Sequence, residues 1–291
     1  MKKLLISFSG GETSAYMAQW CLSNLSDQYN MVVVFANTGE ENEETLEFVK
    51  KCDEILGFNT VWVECVVHEG RTGTTHKVVD YETASRNGEP FEDVIKKYGI
   101  PNQAYPHCTR ELKTAPITSY VKNELGWDNY YTAIGIRIDE VDRVDAKREE
   151  KKFIYPLAEY NRCTKQHINK YWSDMPFRLE LKGYQGNCKA CWKKSFRKLY
   201  TIANETPEVF DNIRRWENKY ENFIKPERSK KSKPPFRFYR DNKTVKEIIE
   251  TANKLEFIAA KDDSLDTSIQ KDMFDEKLDV GFGCSESCEP F

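Results

Sequence analysis

Ser7, Phe8, Ser9, Gly10, Gly11, Glu12, Thr13 and Ser14 form one short segment with the chemistry of a phosphate cradle. Adjacent glycines let the backbone approach a ligand and turn its N–H groups inward. The hydroxyls of Ser9, Thr13 and Ser14 add donors for phosphate oxygens. A helical pattern through Tyr16, Met17 and Trp20 follows, so a helix N-terminus would add unpaired donors and partial positive charge. The Gly-x4-Gly-Lys-Ser/Thr spacing of a Walker-type loop is absent. A tight structural turn is the alternative for two glycines after a strand.

Arginine and cysteine supply the other chemistry. Arg137, Arg143, Arg110 and Lys113 fall in loops or helix starts after strands, where guanidinium forks match phosphate or sulfate oxygens. Arg137 directly follows an apolar run, which puts it at a sheet's ligand-binding edge. Asp139, Glu140 and Asp142 beside it are suited to Mg²⁺ or to pairing with those arginines. Cys188 and Cys191 form a Cys-x2-Cys knuckle behind Gly186, a spacing used for zinc and iron–sulfur sites and for redox dithiols. Cys108 and two tail residues, Cys284 and Cys288, are further soft ligands. The expected set is Cys108, Cys188, Cys191 and one of the two tail cysteines, with His107 a weaker fourth candidate. Cys21, Cys52 and Cys65 lie in helical or strand patterns and read as buried core thiols.

These groups need a scaffold. Leu4-Leu5-Ile6, Met31 to Ala36, Thr60 to Val67 and Tyr130 to Ile136 read as strands. Glu44 to Leu56 reads as a helix with Leu46, Val49, Cys52 and Leu56 on one face, and Thr109 to Glu124 as another helix. Glu69 to Pro106 reads as loop-rich. The alternation predicts an α/β fold with a doubly wound, mostly parallel sheet and the glycine loop at the first strand's C-terminal edge. After about residue 158 helical patterns dominate. The expected division is a nucleotide-binding α/β domain over 1–158 and a helical, metal-binding C-terminal part over 159–291, packed together. Lys225 to Pro235 is a basic, helix-breaking loop, read as a solvated hinge or a nucleic-acid contact.

Composition narrows the setting. A chain of 291 residues can bury a real core, and a net charge of −3 gives no global nucleic-acid signal. No apolar run approaches membrane-spanning length. Nine cysteines, some of them clustered, suit metal or redox chemistry in the cytoplasm better than a secreted disulfide framework.

The glycine loop resembles the pyrophosphate loop of the N-type ATP pyrophosphatases, the adenine nucleotide alpha hydrolases. Glu12 stands where many members carry lysine, and Thr13 where aspartate is more usual. The resemblance widens to the phosphoadenosine phosphosulfate reductase family, especially its bacteriophage-type members. It is carried by Asn37-Thr38-Gly39 with Thr45-Leu46-Glu47-Phe48, by Cys108-x-Arg110-x2-Lys113-x2-Pro116, by Gly135-x-Arg137-x2-Glu140-x2-Arg143, and by Gly186-Asn187-Cys188-x2-Cys191. It implies nucleotide contacts from Ser7, Ser9 to Ser14, Asn37, Thr38, Gly39 and Arg110, with Arg137, Arg143 and Lys113 acting on the phosphates. It also implies a [4Fe-4S] cluster, with Zn²⁺ as the alternative. The family's first cysteine pair reads His107-Cys108 here, which leaves the fourth ligand to a tail cysteine.

Three functions compete. The intact Ser9-Gly10-Gly11 segment suits ATP with Mg²⁺, cleaved between the α and β phosphates to adenylylate an acceptor, with sulfur transfer as one outcome. A sulfonucleotide reductase releasing sulfite is the second. A non-catalytic nucleotide-binding or DNA-associated module with a structural cluster is the third. The expected partners are an adenine nucleotide and a nucleic-acid or thiol-carrier acceptor; a homodimer is compatible with the sequence.

Overall fold

Leu4, Leu5 and Ile6, the apolar run ahead of the glycines, are wholly buried in the central strand of a sheet. The computed structural model describes residues 1–186, 188–223 and 233–268. Strand β1 (Lys2–Phe8) lies between β2 (Tyr29–Ala36) and β5 (Tyr131–Ala133), parallel to both. Beyond β2 come β3 (Val61–Val66), parallel, and β4 (Thr75–Val79), antiparallel; β6 (Phe153–Ile154) runs parallel beside β5. The six strands are ordered β4-β3-β2-β1-β5-β6.

Among the described residues the α-helices are α1 (Glu12–Asn24), α2 (Glu43–Leu56), α3 (Glu89–Tyr98), α4 (Ala115–Asn123), α5 (Arg148–Lys151), α6 (Pro156–Glu159), α7 (Lys165–Asp174), α8 (Phe196–Glu205), α9 (Asp211–Tyr220) and α10 (Val245–Lys254). Successive residues of a strand face opposite sides. Leu4, Ile6 and Phe8 accordingly pack with Met17 of α1, Val49 of α2 and Trp172 of α7. Leu5 and Val34 pack on the other face with Ile117 and Val121 of α4. Helices therefore cover both faces, as the strand–helix alternation predicts. Trp172 and Phe177, beyond residue 158, belong to the same core as β1. A second apolar core joins Phe91 and Val94 of α3 to Leu199, Trp216 and Ile248 of the C-terminal helices.

Two readings need correction. The stretch from Glu69 to Pro106, expected to be loop-rich, contains β4 and α3. β4 is an edge strand, mostly half-buried or exposed, so it carries no apolar run. α3 does carry a signal, since Phe91, Val94 and Ile95 share one buried face and Pro90 sits in the first turn. The strand expected over Tyr130 to Ile136 is regular only over Tyr131–Ala133. Gly135 then passes the loop so closely that a Cβ there would lie 3.2 Å from Ser14 Cα.

The helix expected from Thr109 begins as a π-helical turn, Arg110–Thr114, and continues as α4. The Ala115 N–H bonds the Arg110 carbonyl, five residues back. Pro116 follows in the first turn of α4 and has no N–H for the ordinary bond to residue 112. No helix among the described residues is long and apolar enough to cross a membrane.

Candidate functional site

Strand order reverses at β1: the chain goes from β1 outward to β2 and β3, then returns to β5 on the other side. In open parallel sheets ligands bind in the crevice at such a switch point, outside the carboxyl ends of the strands. The glycine loop leaves β1 there, and Arg137 follows β5 there. Arg137 Nη1 donates to Thr13 Oγ1 at 3.2 Å, so the two sequence-distant candidates meet.

The two glycines have different reasons. Gly10 has φ +79°, and a Cβ there would lie 2.6 Å from Thr45 Cγ2 and 3.0 Å from Phe35. It is fixed by the approach of α2 and β2. Gly11 is extended at φ −102° and a Cβ would meet only Ser9 Oγ, at 3.9 Å. The space beside Gly11 suits the close backbone approach of a ligand. Gly11 also N-caps α1, whose first turn has no side-chain cap. Its N–H groups have no intrahelical partners, so the loop and helix end can receive an anion.

Ser14 closes the loop from within. Its hydroxyl donates to the Gly11 carbonyl at 2.9 Å, accepts the Ser9 N–H at 3.1 Å and lies 2.9 Å from Ser9 Oγ. Ser7 is wholly buried, and its hydroxyl has no hydrogen-bond partner among the described residues. Glu12, in place of lysine, is buried with its carboxylate on Arg178: Nε and Nη2 each donate at 3.1 Å. Arg178 was not singled out by sequence reasoning. It is a single arginine far along the chain, and no local pattern marks it.

Arg137 is held by neighbouring carboxylates rather than left loose. Asp139 accepts from its Nε at 3.0 Å and from Nη2 at 3.3 Å, and Glu140 Oε2 lies 3.1 Å from Nη1. Glu140 also pairs with Arg143, so one carboxylate spaces both guanidinium groups. The acidic residues here serve the arginines. Arg110 is mainly exposed and pairs with its neighbour Glu111 at 2.6 Å.

At the end of β2 the polar side chains bind the protein itself. Asn37 is wholly buried; its Nδ2 donates to Glu64 Oε1 at 2.6 Å and to the Ser85 carbonyl at 2.8 Å. Thr38 bonds Glu41 through its N–H at 2.8 Å and its hydroxyl at 2.9 Å. Gly39, at φ +78°, accepts the Gly88 N–H through its carbonyl at 2.9 Å.

Cys108, Cys188 and Cys191 line one solvent-connected pocket, with Thr38, Glu40 and Lys113 also in its wall. The knuckle is fastened from two sides. Glu40 accepts the Lys189 N–H at 2.9 Å through its carbonyl, and the buried Tyr239 donates to the Ala190 carbonyl at 2.9 Å. Thr38 Oγ1 lies 3.7 Å from Cys188 Sγ, which ties the knuckle to the end of β2. Glu40 is buried, and that burial pushes its carboxyl up to about 7 against the opposing hydrogen bond from Asn212. Neither the glycine loop nor Arg137 contributes to this cavity wall.

The expected metal-binding C-terminal part is not borne out among the described residues: no group of three or more His, Cys, Asp or Glu side chains there is gathered to hold a metal ion. Cys108 precedes the π-helical turn while Cys188 and Cys191 come from the knuckle, so the three thiols share a cavity wall without closing into one group. Three soft sulfur donors around one space nevertheless suit zinc or iron–sulfur by donor type. His107 Nε2 lies 3.1 Å from the Gly99 carbonyl, in a separate contact. Cys284, Cys288 and Lys225 to Ser232 lie outside the described residues.

An open, mostly parallel sheet with a glycine loop and an arginine at its switch point defines a nucleotide-binding class of α/β protein. The chain belongs to the phosphoadenosine phosphosulfate reductase domain family, whose model matches residues 3–155. An uncharacterized nin region protein of Escherichia phage lambda is 29% identical over 291 residues, covering 99% of this chain and 94% of that protein. An uncharacterized protein of Methanocaldococcus jannaschii is 25% identical over 234 residues, 75% of this chain and 41% of its own length. A second from that organism is 24% identical over 215 residues, 70% of this chain and 45% of its own length. Family membership supports a nucleotide-utilising enzyme.

Proposed function

We propose that this enzyme binds ATP at the switch point and cleaves it between the α and β phosphates, transferring AMP to an acceptor. The observation that carries this reading is the Arg137–Thr13 contact, which brings a guanidinium to the mouth of an intact Gly10-Gly11 loop. The loop N–H groups and the first turn of α1 receive the phosphates. Arg137, with Arg143 beside it, neutralises charge that builds on the pyrophosphate as it departs. The acceptor nucleophile forms a bond to the α-phosphorus. The bond from that phosphorus to the α–β bridging oxygen breaks, and pyrophosphate leaves with the electron pair. Mg²⁺ bound to the triphosphate would supply further charge neutralisation.

Lys113, in the wall of the thiol cavity, is proposed to attract the acceptor or its anionic group. Cys108, Cys188 and Cys191 would hold a [4Fe-4S] cluster or Zn²⁺, completed by Cys284 or Cys288. When bound, such a centre supplies redox or sulfur-binding chemistry. A sulfur acceptor or carrier would then meet the adenylylated group near the cavity, in a cytoplasmic setting.

The test is direct. Full-length protein with α-labelled ATP, Mg²⁺ and candidate nucleic-acid or thiol acceptors should release pyrophosphate and label the acceptor with AMP. Release of sulfite from a sulfonucleotide with reduced thioredoxin, and no pyrophosphate from ATP, would replace this reading with a reductase.

A further inference from the structure

Glu12 opens α1 directly behind Gly11, and its carboxylate is buried. A carboxylate at the first position of a helix is normally favoured by the helix dipole. In this loop that would make it a rival, because the same positive end is where a phosphate would sit. The carboxylate is instead engaged by groups outside the helix. Arg178 grips both of its oxygens, and the Leu179 N–H adds a third bond at 3.3 Å. Arg178 is in turn held by the Ser264 carbonyl, 2.8 Å from Nη2. Trp172 Nε1 donates to the Glu12 carbonyl at 3.0 Å, fixing the backbone of the same residue.

Burial raises the Glu12 carboxyl above its ordinary value, and Arg178 acts against that rise. Removing one partner of a buried pair leaves an uncompensated charge. Here the stranded charge would lie within the phosphate loop itself, next to Gly11.

We propose that Arg178 is a positioning residue for the phosphate loop, clamping Glu12 so that the N-terminus of α1 stays free to receive a nucleotide phosphate. The proposal rests on the nucleotide-binding reading of that loop. It assigns a function to a residue pair 166 positions apart in sequence.

Binding of ATP and of adenosine to the full chain, measured by titration calorimetry, tests it. Arg178→Met should weaken ATP binding on the order of tenfold while leaving adenosine within about twofold. Adding Glu12→Gln to Arg178→Met should restore ATP affinity to within about threefold of wild type, since the stranded charge is gone. A purely structural role would weaken both ligands alike, and that result, or failure of the double variant to rescue, overturns the proposal. Should Arg178→Met alone not fold, Arg178→Lys is read instead. A single ammonium in place of the two-pronged guanidinium should weaken ATP binding severalfold while leaving adenosine within about twofold, and an unchanged ratio of the two affinities also overturns the proposal. Wild-type protein that binds neither ligand would remove the nucleotide reading itself, and the proposal with it.

Discussion

Arg137 and Thr13, 124 residues apart in sequence, are joined by a 3.2 Å hydrogen bond across the sheet's switch point. The bond links the loop after β1 to the turn after β5. One backbone feature and one side-chain feature allow it. Gly135 lets the chain after β5 pass against Ser14, and Asp139 holds the guanidinium in a fork. The guanidinium is thereby fixed in position beside the loop.

Arg137→Met should lower pyrophosphate release from ATP by about a hundredfold or more, with circular dichroism unchanged. Activity within a few-fold of wild type would remove Arg137 from the proposed reaction.

Gly10 and Gly11 should separate stability from binding. Gly10→Ala places a methyl group 2.6 Å from Thr45 Cγ2 at a left-handed backbone position, and should cost about 2–4 kcal/mol in chemical denaturation. Gly11→Ala adds its methyl group at φ −102° into open space. It should change stability by less than about 1 kcal/mol and still weaken ATP binding, because the methyl group would occupy the ligand's approach. Equal unfolding midpoints for the two variants would contradict this division.

Glu40 should make stability depend on pH. Its folded carboxyl titrates at about 7, above the ordinary 4.5. The folded state therefore holds a proton that the unfolded state gives up. The contribution is full below about pH 4.5 and is lost as pH rises through about 7, a change on the order of 3 kcal/mol. Glu40→Gln cannot titrate. Its urea midpoint should fall less between pH 5 and 8 than that of wild type; parallel profiles would show that Glu40 is not the responsible group.

Thiol variants should sort by cavity. Anaerobically purified protein is expected to be brown, with iron and sulfide in near-equal amounts. Cys188→Ser or Cys191→Ser should lose that metal. Cys21→Ser should keep it, because Cys21 is a buried core thiol whose burial pushes it up to about 12. Zinc without sulfide would exclude the cluster, and metal retained in both knuckle variants would exclude these cysteines as ligands.

Much of this was local enough to read from residue order. Buried strands announce themselves as apolar runs, so β1, β2 and β3 were visible, as was the glycine loop after β1. The alternation of strands with amphipathic helices carried the parallel sheet, and position after a strand marked Arg137. β4 was hidden because an edge strand needs little apolar surface. α3 carries a helical pattern, but it is short and flanked by polar, turn-rich sequence that masks it.

The sequence alone thus determined the parallel strands β1, β2, β3 and β5, the loop after β1 and the family resemblance. Tertiary structure decided what individual polar residues do there. Asn37, at the expected nucleotide edge, spends its side-chain amide on Glu64 and Ser85. Glu12, which local reasoning left without a role, is claimed by Arg178 from beyond α7. Cys108 and the knuckle come to one cavity only because α3 and the C-terminal helices share a core. The reason is physical: propensity and hydrophobic period act over a few residues, whereas a buried polar group must find its partner wherever packing brings one within about 3 Å.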